Sequence, residues 1–336
     1  MKQNSREIKH PLGLIIQTPL LVPSFSSKGF ETTGKNSELQ YYLNLSTPFI
    51  TESLLISAYD YKYKFIPSRK KLSFASLIFI DSGGYEVSTF RDFSEIKKMP
   101  VKSKKWNENL HNETINEWSN EDNVIIISYD SDKSRKNFSD QINSAKELFN
   151  RHPNHMSDFL IKPETKDEQT INFDKLIRHI KKLKDFNIIG LTEKEAGDSM
   201  ILRMKNILKL RNALDEAKIE SPIHIFGCLD PISCVLYYTS GAEIFDGLTW
   251  LRYSYYKSIA IYTRNFNILN EELGINTRNE QVLASSITRN IYFLYRFKYK
   301  MIDFFKMKDF SVFKDITNEE VITVLENAYN RFNREV

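Results

Sequence analysis

The run Val124-Ile125-Ile126-Ile127 carries no polar residue on either face of an extended chain, and this constrains the fold more than any other feature. Such a strand has to be covered on both sides, the condition of a parallel sheet flanked by helices. Six further β-rich runs, several of them continuously apolar, lie at 54–58, 77–80, 159–161, 186–189, 223–226 and 243–245. Between them the hydrophobic period becomes helical. In 171–184, Phe173, Leu176, Ile177, Ile180 and Leu183 share one face with lysines opposite, and 199–217 repeats the pattern. Asp230-Pro231 supplies an N-cap and a first-turn proline for another helix, which Gly241 closes. Strands alternating with helices in this way predict an α/β fold, a (β/α)8 barrel. An open doubly wound sheet is the alternative, but no Gly-rich dinucleotide turn supports it.

The organisation expected is an N-terminal β segment over 1–50 packed on the barrel, a barrel core over 51–265, and a helical C-terminal extension over 266–336. Within the first segment, the Gly/Pro/Ser-punctuated stretch 10–50 reads as an antiparallel sheet closing the barrel floor. Within the last, 281–335 reads as two long helices, the second opening at Thr317 with Glu320 completing a capping box. A 41% hydrophobic share over 336 residues fills a full-size core, which excludes disorder. Two cysteines exclude a disulfide framework, and no stretch reaches the ~18 apolar residues of a membrane span. Lys2, Arg6 and Lys9 ahead of 12–21 imitate a secretion signal, but Gln17, Thr18 and Pro19 interrupt it. The expectation is a soluble cytoplasmic protein with no membrane partner.

Chemistry concentrates at strand ends. Gly83, Gly84, Gly190, Gly227 and Gly247 all fall at or just past the C-terminal end of a strand run, the face on which such barrels build active sites. Ordinary loop punctuation would also put glycines there. Carboxylates occupy the same places: Asp81 after 77–80, Asp130 and Asp132 after the Val124 strand, Asp246 after 243–245. One or two such acids serve commonly as helix N-caps. Three aimed at one cavity would push their pKa values apart, letting one act as acid or base while another stays an anionic nucleophile.

These segments carry a resemblance. Asp81-Ser82-Gly83-Gly84-Tyr85-Glu86 resembles the DSGGFQ signature of the tRNA-guanine transglycosylases. Thr18-Pro19-Leu20-Leu21-Val22-Pro23 is similar to that family's TPVFMP segment, and Tyr129-Asp130 to its FDE motif. Gly190-Leu191-Thr192-Glu193-Lys194-Glu195 is similar to its GLAVGE turn, and Phe226-Gly227-Cys228-Leu229-Asp230-Pro231 to its GVGTP. Ile244-Phe245-Asp246 with Arg252 downstream is similar to FDCVLPTR. The resemblance implies roles. Asp246 would be the nucleophile at C1′ of the target nucleoside, and Asp81 the general acid/base. Asp130 would read the purine's amine and ring N–H, within a pocket including Ser82, Gly83 and Gly84. Tyr85 would stack on the base. Gly190 and Leu191 would offer backbone contacts with Glu195 behind them, and Lys162 stands near a base-reading glutamine of the family.

The family's zinc set has no counterpart, since Cys228 and Cys234 both precede Asp246 and no histidine follows His224. The expectation is therefore no metal and no cofactor, with the cysteines and His224 as packing residues. Residues 251–310 instead hold ten Lys/Arg against five acids, net +5, whereas the whole chain is only +4. Aromatic residues interleave with the first of these cations. Such a surface suits phosphate neutralisation and stacking on bases, through Trp250, Arg252, Lys257 and Arg264. A solvated helix face with buried rings has the same composition. Asp246-Gly247-Leu248-Thr249-Trp250-Leu251-Arg252 and Ile56-Ser57-Ala58-Tyr59-Asp60 look most like the DNA-guanine transglycosylase paralogues (DpdA type). What the resemblance implies is exchange of guanine in DNA, or alternatively in tRNA, for a 7-deazaguanine base such as 7-cyano-7-deazaguanine; a non-catalytic nucleic-acid-binding paralogue is the other alternative, against which the retained Asp81, Asp130 and Asp246 speak. Everting the target nucleotide would leave a gap for Trp250 or a nearby tyrosine to fill. A homodimer and a partner ATPase are further implications of the family.

Overall fold

The computed structural model describes residues 6–30, 38–88, 103–118, 120–131, 134–269 and 274–336. It opens with an antiparallel hairpin of β1 (Glu7–Lys9) and β2 (Ile15–Gln17). Eight parallel strands follow: β3 (Leu20–Phe25), β4 (Ser53–Ser57), β5 (Leu77–Asp81), β6 (Val124–Ile127), β7 (Met156–Ile161), β8 (Ile188–Thr192), β9 (Ile223–Phe226) and β10 (Ile244–Gly247). They pair in sequence order and β10 closes onto β3, making a TIM barrel.

All seven strand runs read from the sequence are barrel strands. The eighth, β3, lies inside the segment assigned to an N-terminal sheet, so the barrel begins at Leu20 rather than after residue 50. Pro23 and Ser24 break the apolar run and hide it. Pro23 is tolerated because the ladder changes partner there: β3 pairs with β10 over residues 20–23 and with β4 at Ser24 and Phe25. Among the described residues of 6–50, the antiparallel pairing is confined to the β1–β2 hairpin. Its Ile8 and Ile16 pack with the interior residues Leu20, Leu77 and Met156, which stops the N-terminal end of the barrel. Arg6 fixes the plug by donating to Glu243 at the foot of β10 (2.8 Å).

Side chains alternate in and out along each strand. Leu77, Phe79 and Ile125 fill the interior, while Ile78, Ile80 and Ile126 meet the surrounding helices. By the same alternation Asp81 and Asp246, two residues beyond Phe79 and Ile244, point inward at the C-terminal mouth.

The helical stretch 171–184 divides into Phe173–Ile177 and a 3-10 turn over Ile180–Asp185. Met200–Glu216 and Pro231–Thr239 form as the periodicity requires; Asp230 caps the latter by accepting from the Ser233 N–H (3.0 Å). After β10 the chain makes a second hairpin, β11 (Ser254–Tyr256) and β12 (Ile259–Ile261), and then the long helix Asn279–Met307. The last helix, Glu319–Glu335, is capped by Asn318 rather than Thr317. The Thr317 hydroxyl instead donates to the Lys257 carbonyl (2.8 Å). Among the described residues no helix is long and apolar enough to cross a membrane.

Candidate active site

Asp246 is nearly the last residue of β10, and its carboxylate is buried (5% exposed). Each oxygen has a partner. Oδ2 accepts from the Ser24 hydroxyl on β3 (2.6 Å), and Oδ1 accepts from the Gly227 N–H after β9 (3.2 Å). His224 Nε2 stands 3.3 Å from the same Oδ1, and His224 Nδ1 lies 2.7 Å from Asp158 Oδ2 on β7. Burial works against charge on this imidazole, but Asp158 and Asp246 outweigh it and raise its pKa to about 9. The three side chains therefore form one buried line, carboxylate–imidazolium–carboxylate.

A second group of acids occupies the mouth between β3 and β5. Asp81 ends β5, and burial together with Glu86, Asp130 and Asp246 holds its carboxyl well above the usual range. Glu86 accepts from the hydroxyls of Ser26 (2.5 Å) and Ser57 (2.7 Å), and burial raises its pKa. Asp60 accepts from the Ser27 N–H (2.6 Å), and burial beside Glu86 pushes it upward too. Burial thus raises the pKa of all three carboxyls in this wall, with repulsion between the acids adding to it at Asp60 and Asp81, so each holds a proton more readily than a free carboxyl does.

The third group links the loops after β6, β7 and β8. Asp130 accepts from the Ser82 hydroxyl and lies 3.4 Å from Lys162 Nζ. Lys162 also meets Glu195 (2.9 Å), which pairs in turn with Arg135 (3.2 Å). Burial opposes the charge of Lys162, yet Asp130 and Glu195 prevail and its pKa rises. A shallow recess opens beside this chain, lined among others by Asp130, Lys162, Arg135, Ser128 and Gln141. Gly84 brings its backbone so close that an added Cβ would sit 2.6 Å from Asp130 Oδ1. Gly83 adopts φ +81°, a left-handed turn that only glycine takes without strain, and the Trp106 indole donates to the Ser82 carbonyl beside it (2.9 Å).

Asp81, Ser82, Gly83, Gly84, Asp130, Lys162, Glu195 and Asp246 thus collect around one end of the barrel. Tyr85 joins them, half-buried, with its hydroxyl accepting from Arg252 (3.0 Å) and Lys28 Nζ 4.4 Å from its ring centroid. Other expectations need correction. Gly190 and Leu191 do not sit in a turn past the strand. They lie inside β8, in register with β7 and β9, so their amides belong to the ladder. A Cβ at Gly190 would meet Asp158 Oδ1 at 2.7 Å and the Phe226 ring closer still, so this glycine makes room for the Asp158–His224 pair. Trp250 is fully buried, edge-on to Phe25 (5.2 Å between centroids), with its indole donating to the Ser24 carbonyl (3.2 Å). Such a side chain packs the wall behind Asp246 and does not fill a gap in a duplex. Arg252, 5% exposed, orients Tyr85 and is no surface cation. Lys257 and Arg264 are exposed. The charge of 251–310 is partly spent internally, since Lys298 pairs with Glu52 (2.5 Å) and Lys300 with Asp315 (2.9 Å).

His224 and Asp158 were missed as site residues. The signal was present, a histidine inside the otherwise apolar β9 and an aspartate beside a serine in β7, but neither is informative without the other. Cys228 and Cys234 are both buried, with Cys234 Sγ 3.6 Å from the Cys228 carbonyl. Among the described residues no group of His, Cys, Asp and Glu is arranged to hold a metal ion.

Fold and site together define a TIM-barrel protein with an acidic centre at its C-terminal mouth. No protein-family model and no curated protein matches the chain.

Proposed function

We propose that this protein is a base-exchange enzyme, a guanine transglycosylase that replaces guanine in a polynucleotide with a 7-deazaguanine. The observation carrying the proposal is the pairing of two carboxyls at one mouth: Asp246, held by Ser24 and Gly227, and Asp81, whose pKa burial and the neighbouring acids raise well above the usual range. Asp246 attacks C1′, and the electron pair of the N-glycosidic bond leaves with N9 while Asp81 protonates the departing purine. The sugar is then an ester of Asp246. The incoming base, deprotonated by Asp81, attacks C1′ and frees the carboxylate. Two displacements give retention.

The remaining residues fit recognition. Asp130 accepts from the purine amine and ring N–H, Lys162 donates to its carbonyl oxygen, and Tyr85 offers a ring face. DNA is the first choice of polymer and tRNA the second, on the segments around Ile56 and Gly247. Lys257 and Arg264 are the exposed cations closest in sequence to Asp246 that remain for phosphate contact.

The test is incubation of duplex DNA and of tRNA with labelled guanine. Wild-type protein should label one polymer, and Asp246→Ala should abolish the labelling. A denaturing gel should also retain a polynucleotide on wild type and on no Asp246 variant. Failure of wild type to label or trap either polymer overturns the proposal.

A further inference from the structure

The imidazole of His224 is buried inside the barrel and takes no part in the two displacements as written. Its surroundings are simple. Asp158 approaches from β7 and Asp246 from β10, and these are the two ionisable groups in contact with it. The remaining walls are Phe226, 3.8 Å between ring centroids, Phe79 on β5 at 5.6 Å, and the bare backbone of Gly190. Asp158 itself is fully buried, and its Oδ1 has no hydrogen-bond partner among the described residues. Burial raises the pKa of Asp158, and His224 beside its Oδ2 works against that rise. A carboxylate buried this deeply is costly unless it faces a cation.

We propose that His224, fixed as an imidazolium by Asp158, is a positioning residue for Asp246 that holds the nucleophile's carboxylate in place and keeps the buried centre at one net negative charge. The inference rests on the base-exchange reading and adds to it the group that sets the charge of the nucleophile's surroundings. Charge balance gives the reason for three members. Before attack, two carboxylates and one imidazolium sum to −1, which opposes the positive charge developing at the sugar. After attack, Asp246 is a neutral ester, and Asp158 still balances His224. Without Asp158 the intermediate would leave a lone buried cation; without the proton on His224 the resting enzyme would hold two buried anions facing no cation. No proton moves along this line during the cycle. The imidazolium also favours departure of Asp246 as an anion in the second displacement. The raised pKa of the imidazole agrees with this arrangement.

The experiment has two arms. In the first, 15N-histidine NMR follows imidazole titration in the intact protein without substrate. One ring, absent in His224→Gln, should titrate near pH 9, and Asp158→Asn should lower that value by at least one unit. A His224 ring that is neutral at pH 7 overturns the proposal. In the second, guanine exchange is measured between pH 6 and pH 10. The wild-type rate should fall on the alkaline side, and Asp158→Asn should move that limb down in step with the NMR value. A limb belonging to Asp81 would not move. Asp158→Asn and His224→Gln should lower kcat by at least tenfold with KM for the polymer within threefold. A rate lowered equally at every pH, with the limb unmoved, overturns the proposal in favour of packing alone. No exchange by wild type at any pH overturns the base-exchange reading, a failure visible apart from the imidazole titration, which needs no substrate.

Discussion

At Trp250 a single side chain shows how position in sequence misleads about position in space. It follows the nucleophile candidate by four residues, among cations and tyrosines, and yet it is fully buried against Phe25. Trp250→Ala should therefore lower unfolding stability by about 3–5 kcal/mol, read as a lower urea midpoint with an unchanged slope. A variant as stable as wild type would contradict the packing role. The same scale explains what could be read beforehand. Asp81, Asp130 and Asp246 were legible because each ends an apolar run, a place where carboxylates converge whatever the loops do. Asp158 and His224 were not, because each is a strand residue whose partner lies in another strand, 66 positions away. A histidine judged alone is a packing residue; judged with its aspartate it is a charged pair. Arg252 failed in the opposite sense. A basic residue in a basic run reads as surface, and only the fold turns it inward to Tyr85.

Among the elements, the strands were the easiest to read, since burial on both faces leaves a continuous apolar signature. β3 escaped because a proline and a serine interrupt it, and its ladder tolerates the proline only where the pairing changes sides. The segment after β10 is held by a device that periodicity does not reveal. Asn290, in the middle of the long helix Asn279–Met307, accepts from the Tyr255 N–H (2.8 Å) and donates to the carbonyls of Trp250 and Tyr253 (2.7 Å each). One buried amide thus pins the turn that carries Trp250 and the following hairpin to the C-terminal helix. Asn290→Ala leaves those groups unsatisfied and should cost about 1–3 kcal/mol. Hydrogen exchange should show the loss concentrated in 249–256, and protection unchanged there would count against the pin. The C-terminal extension is accordingly part of the wall behind the site.

For the molecule as a whole, the buried ionisable groups fix how stability varies with pH. His224 has a folded pKa of about 9, above its ordinary 6.5. Its contribution is complete below pH 6.5 and is lost as pH rises through about 9, on the order of 3 kcal/mol in all. Asp60, Asp81 and Glu86 have raised values too, so they also bind protons more readily folded than unfolded. His224 sets the alkaline slope, and thermal unfolding should show a midpoint that declines as pH rises from about 7 to about 9. His224→Gln should flatten the upper part of that decline. A midpoint that instead climbs with pH would mean the cluster is not buried as described. Ile8 and Ile16 of the first hairpin cork the barrel floor beneath side chains that already fill its interior. That leaves the opposite mouth as the single doorway, and under the proposed exchange the departing guest and the arriving one would use it in turn. Free guanine should then compete with the newcomer for the threshold, and the two should never be found inside together.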